Sequence, residues 1–451
     1  MDENQTRTHA SDTGPRASVD HASGAHSGFD RRSVHRPIER WLIVIAGLIA
    51  LMVLVGGMTR LTGSGLSITE WRPVSGILPP LTESDWNDLF QKYQSSPQFQ
   101  KENQHFELQA FKSIFWWEWA HRFLGRMVGF FVLFPLVLFW RRRSIEPWMR
   151  RRVIALLAFG ALQGGIGWLM VASGLVDIPR VSHYRLALHL MMAYALLTFT
   201  VWTVLEVRYG RRSYGAAEPR FSTQLADANT QSSHTIHGRP QRVTGRSRFT
   251  LVHGLCVFLA LLIAQLTYGA FVAGLRAGYL FPTFPKMGVE WLPLASMPTC
   301  AESAATGRAC DPTLALWTAD AVLVQFVHRW LGAAIALLGV ALAFLGATRA
   351  RSPRSVWIAF GAAVFGQFVL GIATMLRFYT APVAYGAAHQ AGATLLLVAT
   401  TIALFHARRA RAYDSAHATG TATGTAPDAA LLDKAIAPVG NRALATRGRV
   451  A

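Results

Sequence analysis

The sequence has few charged residues and almost no cysteine, and both shortages narrow its class. Only 15% of the 451 residues are charged and 51% are hydrophobic, whereas a soluble globular chain carries about 25% charged residues. Acidic residues are the scarcer kind, with 25 Asp and Glu against 44 Lys and Arg. The net charge of +19 would suggest nucleic-acid binding in a soluble protein. Here the basic residues stand beside long apolar blocks, so we expect a membrane protein and no nucleic-acid partner.

Several cofactor motifs are also missing. The sequence has no CxxCH for covalent haem attachment, no Rossmann fingerprint and no iron–sulfur spacing. The glycine-rich stretch "GGMTRLTGSGLS" (56–67) lacks the Lys-Ser/Thr ending of a phosphate-binding loop. We therefore expect electrons to come from an external donor.

The apolar blocks predict eight transmembrane helices, because about 18 or more uncharged residues suffice to cross a bilayer. The fold class is an all-α integral membrane protein. The predicted spans are 40–61, 119–140, 153–174, 184–205, 249–272, 321–346, 355–376 and 385–407.

Arginine clusters predict the orientation of these spans. They lie before the first span, in the 141–152 loop, after the fourth span, between the sixth and seventh, and after the last. The positive-inside rule puts all of them, and both termini, in the cytoplasm, with the protein in the cell inner membrane. Polar or low-complexity composition predicts disordered tails at 1–37 and 412–451 and a disordered cytoplasmic linker at 213–247.

The two remaining segments, 38–212 and 248–411, resemble each other. "WWEWAHRFLGRMVGFFVLF" aligns with "VLVQFVHRWLGAAIALLGV", and Gln163 pairs with Gln367 in a second aligned stretch. Each segment contains four spans, so the repeat keeps its orientation in the membrane. We expect two tandem four-helix bundles related by a parallel internal repeat, with cofactor sites between facing helices.

Four histidines occupy matched positions in these two halves: His121, His189, His328 and His389. Ionisable residues within spans are costly and are usually functional. Neutral imidazole is the usual protein ligand of haem iron, and two helices that each offer one histidine can hold a haem between them. The sequence predicts two such haem sites near the outer ends of the helices.

Charged residues flank these histidines. Arg122 and Arg329 directly follow His121 and His328, while Arg126 and Arg185 lie about one turn from the sites. Their guanidinium groups suit haem propionates, and snorkelling to lipid phosphates is the alternative.

An acidic residue stands before only one of the matched histidines. Glu118 precedes His121 by one turn and could move protons or stabilise positive charge; the alternative is a solvated carboxylate at a helix N-terminus. The matched residue in the second half is Gln325, which suggests that the halves have different roles.

The three cysteines divide into a pair and a single residue. Cys300 and Cys310 share one outward loop, where an oxidising location permits a disulfide. Cys256 lies within a span and is expected to be a packing residue.

Several stretches resemble the haem A synthase family over about residues 38–407. They are "GGMTRLTGSGLSITEWRPVSGILPP" (56–80), "FKSIFWWEWAHRFLGR" (111–126), "LQGGIGWLMVASGL" (162–175), "GAFVAGLRAG" (269–278), "VHRWLG" (327–332) and "AHQAGA" (388–393). The first outer loop, with "SDWNDLFQKYQSSPQF" (84–99), resembles the mitochondrial and proteobacterial branch.

The resemblance implies an oxidoreductase that converts the C8 methyl group of haem O to a formyl group by successive hydroxylations, giving haem A for terminal oxidase assembly. It implies that His328 and His389 hold a haem b cofactor, that His121 and His189 hold the haem substrate, and that Glu118 is essential. Haem O synthase and cytochrome oxidase assembly factors are the expected partners, and the resemblance leaves a homo-oligomer open.

Two other functions also fit four membrane histidines. A dihaem b-type cytochrome carrying electrons from quinol would explain them, but not Glu118 or the two long outer loops. A repeat-based transporter would place polar groups near the midplane, where the spans contain little beyond Gln163, Gln265 and Gln367. The haem-modifying enzyme is therefore preferred.

Overall fold

A computed structural model describes residues 31–71, 75–175, 179–210, 250–297 and 316–422. Helices dominate these ranges. Their only β feature is an isolated bridge between Met287 and Glu290. The all-α prediction is therefore confirmed.

Eight helices within the described ranges are long and apolar enough to cross a membrane, which confirms the predicted number. They are α1 (Arg31–Leu61), α4 (Leu108–Arg141), α5 (Pro147–Ala172), α6 (His183–Tyr209), α7 (Leu251–Gly274), α9 (Ala321–Arg349), α10 (Arg354–Arg377) and α11 (Pro382–Ala422). Short helices lie between them: α2 (Glu83–Gln94), α3 (Pro97–Glu102) and α8 (Leu316–Ala319).

Three helices extend furthest beyond the predicted boundaries. α1 already begins at Arg31, inside the expected N-terminal tail, and α11 continues to Ala422, inside the expected C-terminal tail. α4 begins at Leu108 instead of near residue 119. Its extra turns pack beneath α2 and α3, where Trp86, Tyr93, Phe111, Ile114 and Phe115 form a separate hydrophobic core. Contacts with other parts of the protein stabilise this extension. A prediction based on apolar runs long enough to cross a membrane therefore misses it.

The long helices pack as two rings of four. In the first half α1 contacts α4, α4 contacts α5, α5 contacts α6, and α6 returns to α1. In the second half α7, α9, α10 and α11 follow the same order and α11 returns to α7. The rings meet where α6 packs against α7 and α11, and where α1 packs against α11.

The main hydrophobic core joins both rings. It includes Ile45, Leu197, Phe258 and Phe360 among many others. The four histidines lie towards one end of the bundle, because each packs beside the last turns of the preceding long helix. We call this the histidine end.

Candidate functional site

Each of the four histidines packs against a glycine of the preceding long helix. A methyl group on that glycine would stand 2.9 Å from Cε1 of His121 or His189 and 3.1 Å from Cε1 of His328 or His389. Such distances are closer than ordinary van der Waals contact, so a larger residue would require the imidazole rings to shift. The four glycines are Gly56, Gly167, Gly269 and Gly371, in the order of their histidines.

Glutamine side chains brace three of the histidines from the same neighbouring helices. Gln163 Nε2 donates to the backbone carbonyl of His189 at 3.0 Å, and Gln265 Nε2 donates to that of His328 at 2.9 Å. Gln367 Nε2 donates to the carbonyl of His389 at 3.1 Å. The same amide nitrogens lie 3.2–3.5 Å from a ring nitrogen of each histidine. The glutamines therefore hold the backbone of these three residues and lie beside their rings.

The second-half histidines are spaced to accept a metal ion between them. The ring centroids of His328 and His389 are 6.3 Å apart, with an angle of 81° between the planes. Two imidazole–metal bonds of about 2 Å, plus roughly 1.1 Å from each nitrogen to its ring centre, also span about 6 Å. The pair fits bis-histidine ligation of one iron.

The four histidines are partly exposed, and three of them have an unpaired ring nitrogen. All four side chains are enclosed by the bundle, yet each keeps some accessible surface. The Nδ1 atoms of His121, His189 and His328 are buried and have no hydrogen-bond partner. Buried polar atoms are normally paired. These features fit a haem at each pair.

Glu118 is buried and well hydrogen-bonded. Its relative exposure is 2%, and it lies in the interior of α4. The alternative of a solvated carboxylate at a helix N-terminus is therefore wrong. Oε2 accepts from Ser67 Oγ at 2.7 Å and from the Ile68 amide at 2.9 Å, while Oε1 pairs with Arg122 at 2.6 Å. The carboxylate thus joins α4 to the loop that follows α1.

The arginines after the first histidine of each half clamp equivalent loops. Arg122 donates to the backbone carbonyls of Ile68 and Glu70. Arg329 donates to the carbonyls of Phe281, Thr283, Pro285 and Lys286 at 2.6–3.2 Å. Both guanidinium groups have extensive protein partners, in addition to any contact with a propionate.

The structure also places the remaining predicted residues. Gln325, the counterpart of Glu118, donates to the Phe281 carbonyl at 3.3 Å. Arg185 donates to the Leu169 carbonyl at 3.0 Å, and Arg126 is half-buried on α4.

Cys256 is a free cysteine packed against the main core. Cys300 and Cys310 lie outside the described residues, so their disulfide stays a prediction.

Sequence reasoning noticed the glutamines but did not connect them to the histidines. The sequence contains a pattern that links them, because a glutamine stands four residues before each of three glycines that pack against a histidine. The three stretches are "QGGIG" (163–167), "QLTYG" (265–269) and "QFVLG" (367–371). The corresponding stretch of α1 is "MVLVG" (52–56). Ser67 was also missed, because its contact with Glu118 joins residues far apart in sequence.

Comparison with known proteins gives consistent matches over most of the chain. A family model described as cytochrome oxidase assembly protein matches residues 39–401. A Maricaulis maris protein named "Heme A synthase" is 39% identical over 83% of this chain and 97% of its own length. Relatives with the same name from Rhizorhabdus wittichii and Paracoccus denitrificans are 40% and 36% identical, over 80% and 86% of this chain and 91% and 92% of their own lengths.

Proposed function

Because the chain belongs to the cytochrome oxidase assembly protein family, with relatives named haem A synthase, we propose that it oxidises the C8 methyl group of haem O to a formyl group. Two successive hydroxylations of that carbon, each consuming one dioxygen, two protons and two electrons from an external donor and releasing one water, would give an alcohol and then a geminal diol. The diol loses water to leave the formyl group. The observation that carries the proposal is the presence of two histidine pairs at one end of the bundle, with each histidine packed against a glycine.

We assign the substrate to the first half. His121 and His189 would ligate the iron of haem O, and Glu118 is the acidic residue beside that pair. Its counterpart in the second half is the neutral Gln325. A difference in charge at otherwise matched positions supports a division between a reacting site and a resident cofactor site.

We assign haem b to the second half, between His328 and His389. The 6.3 Å separation of their rings supports this assignment. When bound, haem b would supply a one-electron redox centre. Gln265 and Gln367 hold its two histidines, and Arg329 holds the loop that covers this end of α9.

Glu118 has two tasks in this proposal. Its negative charge, one turn before His121, would stabilise positive charge that develops on the carbon being oxidised. Its hydrogen bonds to Ser67 and Ile68 fix the loop at the mouth of the same site. Three donors orient the carboxylate, so it needs no rearrangement before the reaction.

The environment of the protein follows from its helices and charges. We propose the cell inner membrane, with both termini cytoplasmic and the histidine end outward, because the arginine clusters lie at the opposite end of the spans. An external donor would supply electrons. Haem O synthase and oxidase assembly factors are the proposed partners. A second copy of this chain is a further partner that the proposal allows.

The dihaem electron carrier is not supported, because the cited relatives are consistently named for synthesis of haem A. Pigment extraction from the purified protein tests the proposal. Haem A or hydroxylated haem O alongside haem b is the expected result. Haem b alone, from cells that supply haem O, would contradict it.

A further inference from the structure

The four histidine sites share one design but differ at one position. In three sites a glutamine lies one helical turn before the glycine that faces the histidine. At the fourth site, formed by α1 and α4, Met52 takes this place before Gly56.

Met52 and Gln265 are equivalent in space as well as in sequence. The Cε atom of Met52 lies 3.5 Å from where a methyl group on Gly125 would stand. The Nε2 atom of Gln265 lies 3.0 Å from the same point on Gly332. Gly125 and Gly332 each lie one turn after their histidine, so the two side chains fill matching positions.

The exchange of glutamine for methionine removes a hydrogen-bond donor. Met has only a weak thioether acceptor, whereas the glutamine amide donates two N–H groups. No side-chain hydrogen bond reaches the ring or carbonyl of His121 within the described ranges, while the other three histidines each receive one from their glutamine. His121 therefore lacks the glutamine contact that the other three histidines have.

We propose that His121 is the exchangeable ligand of the substrate haem, and that Met52 is the positioning residue that leaves it unbraced. The inference rests on the proposed function. A bis-histidine iron has no vacant coordination position, so a small molecule can bind only if one imidazole leaves. In such an exchange His121 would give up its bond to the iron, a neutral ligand would take its place, and no electron would be transferred.

Outer-shell partners of metal-bound histidines typically change metal affinity or activity by 10–100-fold when they are altered. The missing brace at His121 should have an effect of similar size on ligand exchange. Met52→Gln should restore the brace, and Gln265→Met should remove it from His328. The reciprocal pair therefore tests the same position at both sites.

Carbon monoxide is the probe, titrated into the reduced, purified holoprotein and followed by difference spectra. In the wild type, one of two haems should bind carbon monoxide. In Met52→Gln its affinity should fall by about 10–100-fold, and in Gln265→Met a second haem should become reactive. Met58→Gln, further along α1, is the matched control and should behave as the wild type.

Unchanged carbon monoxide affinity in a Met52→Gln protein that keeps its haem would overturn the inference. If that variant loses haem, Gln265→Met decides: a second reactive haem supports the inference, and an unreactive one overturns it. Haem content separates this result from the proposed function. If His121→Ala leaves the haem content unchanged, the first-half site itself is wrong; if content responds to His121→Ala but Met52→Gln alters nothing, only the exchange is wrong.

Discussion

Gln390 donates a hydrogen bond of 2.8 Å to the backbone carbonyl of Val53. The two residues belong to different halves of the molecule. Gln390 follows His389 directly, and Val53 lies one turn before the glycine that faces His121. One side chain therefore links the helix that carries His389 to the helix that packs against His121.

Gly57 permits this contact, and replacing it should break the contact. A methyl group on Gly57 would overlap the side-chain amide of Gln390, so Gly57→Ala should push Gln390 away from Val53. The loss of one buried hydrogen bond costs about 0.5–1.5 kcal/mol, and an alanine within a helix returns up to about 1 kcal/mol. Gly47→Ala is the control on the same helix, because nothing lies within 4 Å of its added methyl group.

Thermal unfolding in detergent measures both variants. We expect Gly57→Ala to unfold at a lower temperature than Gly47→Ala. When Gln390→Ala is added to each of these variants, most of the difference between their unfolding temperatures should disappear. Equal stability of the two glycine variants would show that Gln390 accommodates the methyl group without leaving Val53.

The glycines that face the histidines should be needed for haem binding. Gly167→Ala would place a methyl group 2.9 Å from Cε1 of His189 and displace the ring. The haem content of purified protein should fall, by about tenfold or more in affinity if the ring moves off the iron. Gly164→Ala on the same helix is the control, since its methyl group would meet nothing within 4 Å. Similar haem content in both variants would show that the close packing of Gly167 against His189 is not needed for haem binding.

Much of the fold could be predicted from the sequence because lipid imposes a simple pattern. The number of spans followed from uninterrupted apolar length. The start of α4 did not, because Phe111 and Phe115 pack against Trp86 of α2 and not against lipid. Contacts between segments far apart in sequence decide such boundaries, and composition does not encode them.

In the candidate site, too, some features could be predicted from the sequence and others depend on contacts between distant segments. The histidines could be found because they repeat at matched positions. The burial of Glu118 could not, since it depends on Ser67 and Ile68 folding back onto α4. The bracing glutamines had a regular spacing from glycine, but only the packing of neighbouring helices connects that spacing to the histidines.

Glu118→Gln should keep haem binding and lose product. Glutamine preserves the size of the side chain but not the charge beside the reacting carbon, so haem O or its alcohol should accumulate. Ser67→Ala is the structural control, because it removes one hydrogen bond to the same carboxylate and keeps the charge. The ratio of haem A to haem O in cells carrying each variant gives the answer. A normal ratio with Glu118→Gln would rule out the electrostatic role.

Cys300 and Cys310 should form a disulfide in the mature protein. Nine residues separate them, in a segment that the positive-inside rule predicts to face the oxidising side of the membrane. Closing a loop of this length stabilises a fold by about 2–3 kcal/mol in the chain-entropy view. Mass spectrometry of unreduced, alkylated protein tests the bond, with Cys256 as the internal control for a free thiol. Two alkylated loop cysteines in freshly prepared protein would refute the pairing.

Arg329→Lys should loosen the loop between α7 and α9. Arg329 is 7% exposed and donates to four backbone carbonyls, including that of Lys286. Lysine cannot reproduce the planar fork of guanidinium, and hydrogen bonds from a charged group contribute about 1.5–3 kcal/mol each. Trypsin should therefore cut after the exposed Lys286 faster in the variant than in the wild type.

Haem-loaded and haem-depleted protein together identify the cause of that faster cleavage. If Arg329 acts as a loop clamp, the variant is cut faster in both states, because its carbonyl partners belong to the protein. Arg122→Lys should leave cleavage at Lys286 unchanged, since Arg122 clamps the loop of the other half at Ile68 and Glu70. A difference confined to the haem-loaded state would instead assign Arg329 to a propionate, with the loop held through the haem.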